Sequence, residues 1–248
     1  YQQKYGFRDY RGGGRSSGRE TAARVASGSV ASQFLENFGI KTTAYTLRAA
    51  GISCEKIDLS QIEQNSLRAP DNDAALKMEA EIDRLRRNCD SAGGIIECVI
   101  DNVPQGLGEP VFDRLDARLA YAIMSIGAVK GIEFGKGFAV ADLTGSINND
   151  KMRCENGKPV FSSNNAGGIL GGISNGNQIV FRIAVKPVPS IFINQQTVSL
   201  NDGKFENTDL QIKGRHDVCL CPRIVPVVEA MANIVIADMI LQNRAAKL

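Results

Sequence analysis

The stretch QIVFRIAVKPVPSIFINQQTVSLNDGKFENTDLQIK, residues 178–213, holds three strand-like runs, 178–186, 190–199 and 205–213, with no helical pattern between them. Asn201-Asp202-Gly203, between the last two, is a hairpin signal. Strands that follow one another without a helix pair antiparallel, and this sets the class as α+β rather than α/β.

Further strand-like runs lie at 95–102 (IIECVIDN), 130–134 and 138–143. Helical periodicity interleaves with them. In 17–38, Ala22, Ala26, Val30, Phe34 and Phe38 recur every fourth residue, Ser17 and Glu20 form a capping-box pattern, and Gly39 is placed to end the helix. Small residues along it, among them Ala23, Gly28 and Ser32, admit close backbone approach, so the helix is expected at a buried, central position. Further helices are expected over 74–89, over 112–126, and from Pro226 to Asn243. No linker-like composition shift or internal repeat divides the chain, and residues 1–248 read as one domain.

At 248 residues and 43% hydrophobic, the chain can bury a substantial core. Its 29 basic and 27 acidic residues nearly cancel, which argues against general attraction to nucleic acid or membrane. The six cysteines show no Cys-x-x-Cys spacing and no secretory segment precedes them, so a reducing cytoplasm is expected. No apolar run reads as a bilayer span, since the C-terminal IVPVVEAMANIVIADMI (224–240) carries Glu229, Asn233 and Asp238. The chain opens at Tyr1 and holds one histidine, His216; it reads as a fragment.

Positive charge is concentrated near the start, in RDYRGGGRSSGRETAARVASG (8–28). A glycine turn can converge N–H groups on an anion, a helix beginning at Ser17 adds its positive end, and the arginines complete a phosphate or carboxylate pocket. It is not a nucleotide P-loop, because Arg19 and Glu20 stand where Lys and Ser/Thr are required. The alternative is a flexible basic loop that binds nothing.

A second glycine-rich stretch, SSNNAGGILGGISNGNQ (162–178), favours close approach of backbone to a planar ligand, or else makes a hairpin connection. The third, KGRHDVCLCPR (213–223), sets Arg215, His216 and Asp217 side by side. Acid–base work, metal ligation by His216 with Cys219 and Cys221, a nucleophilic cysteine, or an Arg–Asp pair pinning a loop all fit it. The metal reading lacks a second ligand pair, so no metal site is assigned.

These three stretches, together with GLGEPVFDRLDARLAYAIMSIGAVKGIEFGKGF (106–138), resemble the chorismate synthase family in order along the whole chain. The resemblance implies a lyase of the shikimate pathway, which makes aromatic amino acid precursors. The family converts 5-enolpyruvylshikimate 3-phosphate to chorismate and phosphate on reduced FMN (FMNH2), without net redox change. It further implies helices sandwiched between antiparallel sheets, a cytoplasmic homotetramer, and neither nucleic acid nor membrane as partner. Matched residue by residue, Arg15, Ser16, Ser17, Gly127, Ala128, Gly171, Lys186, Pro187, Val188, Pro189, Ser190 and Arg215 fall on flavin-contacting positions. Arg19 and Arg215 fall on substrate contacts, and Asp217 on an aspartate associated with proton handling. The arginines near the amino end and those before the last helix are expected to face one shared hollow.

The chain departs from the family pattern at Asn165, often histidine, and at Val218, commonly proline. The family's two catalytic histidines belong to Gly-Glu-Ser-His-Gly and Arg-Pro-Gly-His-Ala-Asp motifs that do not occur in these 248 residues. Inactivity of the chain alone is expected. The rival reading is an anion- or RNA-binding module using the basic segment with Tyr1, Tyr5, Phe7 and Tyr10. A flavin reductase using NADP ranks lower, because no Gly-x-Gly-x-x-Gly follows a strand in the right setting.

Overall fold

The strand runs do pair antiparallel. In the computed structural model, residues 1–246 are described apart from Tyr10 and Asp202. Those two, one an aromatic of the basic segment and the other the middle of the hairpin signal, lie outside the described residues. The helices are α1 (Gln2–Tyr5), α2 (Thr21–Glu36), α3 (Asn72–Arg87), α4 (Leu115–Met124), α5 (Gly145–Asn148) and α6 (Cys221–Ala246). The strands are β1 (Lys41–Ala49), β2 (Ile52–Ser53), β3 (Gly94–Asp101), β4 (Val129–Phe134), β5 (Met152–Glu155), β6 (Lys158–Phe161), β7 (Ile169–Leu170), β8 (Ile173–Ser174), β9 (Ile179–Val185), β10 (Gln195–Asn201) and β11 (Lys204–Leu210). One five-stranded sheet runs β2-β1-β3-β9-β4, and β5–β6, β7–β8 and β10–β11 are two-stranded.

Alternation along the strands divides the large sheet into two faces. Ile96, Cys98 and Ile100 of β3 stand opposite Ile183, Phe181 and Ile179 of β9, and all enter the main core. The residues between them make a polar row on the other face, in register across four strands: Tyr45, Glu97, Arg182 and Glu133. Tyr45 Oη donates to Glu97, and Arg182 bridges Glu97 at 3.1 Å and Glu133 at 2.6 Å. A charge on this half-buried face thus has a partner on the neighbouring strand.

On the apolar face α6 packs over β1 and β3, with α4 beside it and α2 across it. The class is therefore α+β, as the strand spacing predicts. The buried, central helix is α6 and not α2. Only Gly28 and Leu35 of α2 are buried, and Val30 is 70% exposed. Helix α2 carries only a narrow stripe of contact, whereas α6 buries twelve of its 26 residues. The close approach expected of its small residues does occur at Gly28, where a Cβ would stand 2.3 Å from the Ala230 Cα.

Other boundaries differ for local reasons. Helix α6 begins at Cys221 and carries Pro226 inside it. It is long and apolar enough to cross a membrane by length and composition, contrary to the sequence reading; 61% of its apolar window is buried inside the protein. Residues 138–143 form no strand, because 137–142 coil as a 3₁₀ turn whose Phe138 N–H is taken by Glu133 Oε2 at 3.1 Å. The capping box fails as well. Ser17 Oγ accepts the Arg19 N–H at 3.4 Å in a 3₁₀ turn, and Glu20 pairs with Arg24 at 3.0 Å. Strand β1 has no counterpart among the expected runs, since Ala44 and Ala49, small so that α6 can lie on them, thin out its apolar pattern.

Glu229 lies inside this contact. Its Oε1 accepts the Ala44 N–H at 2.8 Å, and burial pushes its carboxyl above the usual carboxylate range. For an acid whose folded pKa is raised, the folded state holds the proton longer. Stability therefore falls as pH rises from about 4.5, the unfolded value, towards the folded one. Glu229→Gln keeps an oxygen for Ala44 and removes the charge. We expect it to melt about 2–4 °C higher than wild type at pH 7, the effect of ~1 kcal/mol in a chain of this size, with no gain at pH 4. Thermal melts at the two pH values check this.

Candidate active site

Three of the stretches marked in the sequence are joined by hydrogen bonds. At the end of α4, Gly127 and Ala128 form the turn into β4, with Ala128 at φ +72°. The Ala128 carbonyl accepts the Lys186 N–H at 2.9 Å, tying this turn to the run Lys186–Ser190 that leaves β9. The Val188 carbonyl accepts Ser91 Oγ–H at 2.7 Å, and the next residue, Ala92, donates its N–H to the Val218 carbonyl at 2.8 Å. The order is thus 127–128, 186–188, 91–92 and then 218, beside Asp217. Because the bond to Val218 uses its carbonyl, the departure from proline at that position leaves it intact.

Ser91 and Ala92 are not among the residues the sequence singles out. Their only signal is the Gly93-Gly94 pair after the helix, and its reason is spatial. A Cβ on Gly93 would lie 2.4 Å from the Val185 carbonyl oxygen and 3.1 Å from the Pro187 ring.

The basic segment joins at one point. Arg24 of α2 donates to Ser125 Oγ at 2.6 Å, two residues before Gly127. Arg15 and Ser16 are exposed on a 3₁₀ turn, Ser17 is half-buried and Arg19 is exposed. Among the described residues, the hydrogen bonds of 1–19 close within residues 1–24. Local turns therefore set the position of these arginines.

Asp217 is half-buried, and its Oδ1 pairs with Arg223 of α6 at 3.0 Å. The Arg–Asp pin is thus made across the start of α6 and not with Arg215, which is exposed like His216. A cavity of about 550 Å³ opens here, with His216, Asp217, Cys219 and Arg223 on one wall and Arg68 and Arg86 on the other. Neither Arg15 nor Arg215 lines it, so the expected hollow shared by those two arginines is not this cavity. Among the described residues no group of three His, Cys, Asp or Glu is spaced to hold a metal ion.

In the glycine-rich stretch the hairpin reading holds. Gly171 and Gly172, at φ +60° and +84°, are the two-residue turn between β7 and β8. The close approaches there are of the chain to itself: a Cβ on Gly167 would lie 2.4 Å from the Gly135 nitrogen. Gly171 is exposed and opens onto free space, with nothing within 4 Å of where a Cβ would stand. Asn165, often histidine in related sequences, is fixed by Asp150, which accepts its N–H at 2.7 Å.

Arg15, Arg19, Lys186 and Arg215 form no ion pair among the described residues, whereas Arg11, Arg24, Arg182 and Arg223 are each held by a carboxylate. Arg8, Arg48 and Arg87 form none among the described residues either, so the lack of a carboxylate partner is shared with cations outside the assigned site.

Comparison with known proteins identifies the family. The chorismate synthase family model matches residues 1–241. The chorismate synthase of Desulfatibacillum aliphaticivorans is 54% identical over 243 residues, covering 98% of this chain and 66% of that protein. That of Methanosarcina mazei is 52% identical over 247 residues, covering 98% and 67%. A crystal structure of chorismate synthase superposes with a TM-score of 0.82 at 33% identity, covering 98% of this chain and 69% of that one. The chain thus spans about two thirds of the length of the relatives it matches. Together with the α+β fold and the order of the matched stretches, these similarities establish that the chain belongs to the chorismate synthase family.

Proposed function

We propose that this chain forms the flavin-facing part of a chorismate synthase, a lyase that eliminates phosphate from 5-enolpyruvylshikimate 3-phosphate to give chorismate. The observation that carries the reading is the bonded series from Ala128 through Lys186, Val188 and Ala92 to Val218, which gathers three separately assigned stretches. The donor set fits reduced FMN: the exposed and half-buried turn residues Gly127–Ala128 and Lys186–Ser190 suit the approach of a flat ring, and Arg15, Arg19 and Arg215, without carboxylate partners among the described residues, suit its phosphate. Reduced FMN supplies the electron-transfer chemistry of the elimination, with no net redox change.

The chain's own residues do the rest. Arg15 and Arg215 bind the flavin phosphate and the substrate anions, and Arg19 orients the substrate. Ser17 adds a hydroxyl donor, and Ser16, whose O–H goes to the Gly13 carbonyl at 2.6 Å, presents its oxygen as an acceptor. With Oδ1 of Asp217 held by Arg223, Oδ2 is left as the atom that takes and returns a proton. The proposal extends to a single domain over 1–248, a cytoplasmic location and a homotetramer of the complete protein.

Anaerobic titration with reduced FMN, with and without 5-enolpyruvylshikimate 3-phosphate, tests the reading. Saturable binding that the substrate strengthens is expected. Steeply salt-dependent binding of a short RNA in its place would support the rival module. Arg15→Ala and Arg215→Ala are each expected to weaken FMN binding about tenfold, the loss of one charge-assisted hydrogen bond. Unchanged affinity in both variants would remove the assigned phosphate contacts.

A further inference from the structure

We propose that the free edge of β10 pairs antiparallel with β10 of a second copy of this chain, on a two-fold axis at Val198. The inference rests on the self-association proposed above and assigns a contact to it.

The hairpin β10–β11 stands clear of the body. Every residue of β11 is exposed. Among the described residues, one hydrogen bond joins the hairpin to another segment, from Gln195 Nε2 to the Pro189 carbonyl at 3.4 Å. Two strands by themselves are marginal in water, so a ribbon of this kind holds its shape by gaining a further strand or a cover. Register sets Val198 opposite Asn207 and Leu200 opposite Phe205, and alternation puts all four on one face. Val198, Leu200 and Phe205 are each more than half exposed, so this face carries an apolar patch open to solvent.

The two edges of the hairpin differ. Strand β11 carries Lys204, Glu206 and Asp209, and charges of this kind keep an edge from pairing. Strand β10, Gln-Gln-Thr-Val-Ser-Leu-Asn, carries none in a chain that is 23% charged. Its sequence also matches itself reversed. Turned about Val198, an antiparallel copy sets Val198 on Val198, Thr197 on Ser199, Gln195 on Asn201 and Gln196 on Leu200. All but the last of these join like with like, apolar with apolar, hydroxyl with hydroxyl and amide with amide, and such cross-strand pairs stabilise a sheet. The same operation on β11, about Asn207, sets Phe205 on Asp209 and Lys204 on Leu210. The self-matching order of β10 is what selects a second copy as its occupant. The product is a four-stranded sheet, β11-β10-β10-β11, whose two apolar patches lie side by side across the axis.

The test is disulfide trapping in the 248-residue chain with its exposed cysteines, Cys89 and Cys154, changed to serine. Val198→Cys sets two sulfurs at the axis, on Cα atoms about 5 Å apart and within the ~4.4–6.8 Å span of a disulfide. Asn207→Cys, at the same level on the outer strand, lies three strand spacings, about 14 Å, from its copy. Under mild oxidation Val198→Cys is expected to link into a dimer at least about tenfold faster than Asn207→Cys. Val198→Lys, which sets two like charges on the axis, is expected to weaken self-association at least about tenfold by analytical ultracentrifugation, with an unchanged circular dichroism spectrum. Equal linking of the two cysteine variants would overturn the pairing, as would a monomeric wild-type chain. Self-association that survives Val198→Lys while Val198→Cys fails to link would overturn the pairing alone, and leave the homotetramer to form through another surface.

Discussion

Gly94→Ala is expected to lose about 3 kcal/mol or more of stability, a large part of the ~5–15 kcal/mol that holds a domain folded. The added Cβ would lie 2.2 Å from the Arg48 carbonyl oxygen and 2.6 Å from the Cys221 sulfur. Neither neighbour can retreat cheaply. The carbonyl belongs to β1, which pairs with β3 at this point, and Cys221 is the buried first residue of α6. The methyl group must therefore part β1 from β3 or lift the head of α6 from the sheet. Gly28→Ala meets an obstacle as close, but α2 can slide on α6 as a unit, and alanine recovers about 1 kcal/mol of helix propensity. Its cost should be smaller. Gly12→Ala, with nothing within 4 Å, should lie within about 0.5 kcal/mol of wild type. Urea denaturation of the three variants gives the order, and a Gly94→Ala midpoint equal to wild type would refute the packing described for the sheet and α6.

The second large effect concerns turnover. These 248 residues are expected to release phosphate from 5-enolpyruvylshikimate 3-phosphate at least about a thousandfold more slowly than a complete chorismate synthase assayed alongside. One positioned acid or base is worth roughly 10²–10⁴ in rate, and the family uses two histidines from motifs that this sequence lacks. His216 is the chain's one histidine, and it belongs to a different motif, on an exposed loop before α6. Anaerobic phosphate release with reduced FMN and excess substrate measures the ratio. A rate within tenfold of the complete enzyme would show that proton transfer does not depend on those histidines. FMN binding is measured separately, so loss of turnover with binding retained is distinguishable from failure to form the site.

Much of the molecule is legible along the chain. The antiparallel class follows from strand runs that succeed one another without helices, because pairing of neighbours is local. The start of α3 lies close to its expected place because Asp71 caps it directly, with Oδ1 on the Ala74 N–H at 3.1 Å. Family membership is legible too, since the order and wording of four motifs lie wholly in the sequence. What lies beyond it depends on which residues meet across long separations. Small residues along α2 admit close approach, but only packing chooses Gly28 against Ala230 and gives the centre to α6, twelve of whose residues are buried. Ser91 and Ala92 carry no chemical signature, and they matter because the Lys186–Ser190 run and the Asp217 loop come to either side of them. The partner of Asp217 is Arg223 and not its neighbour Arg215 because the turn of α6 brings position 223 back over the loop. Local pattern reports how each residue relates to the next few; hydrogen bonds and ion pairs that span tens of residues form only when the chain closes on itself.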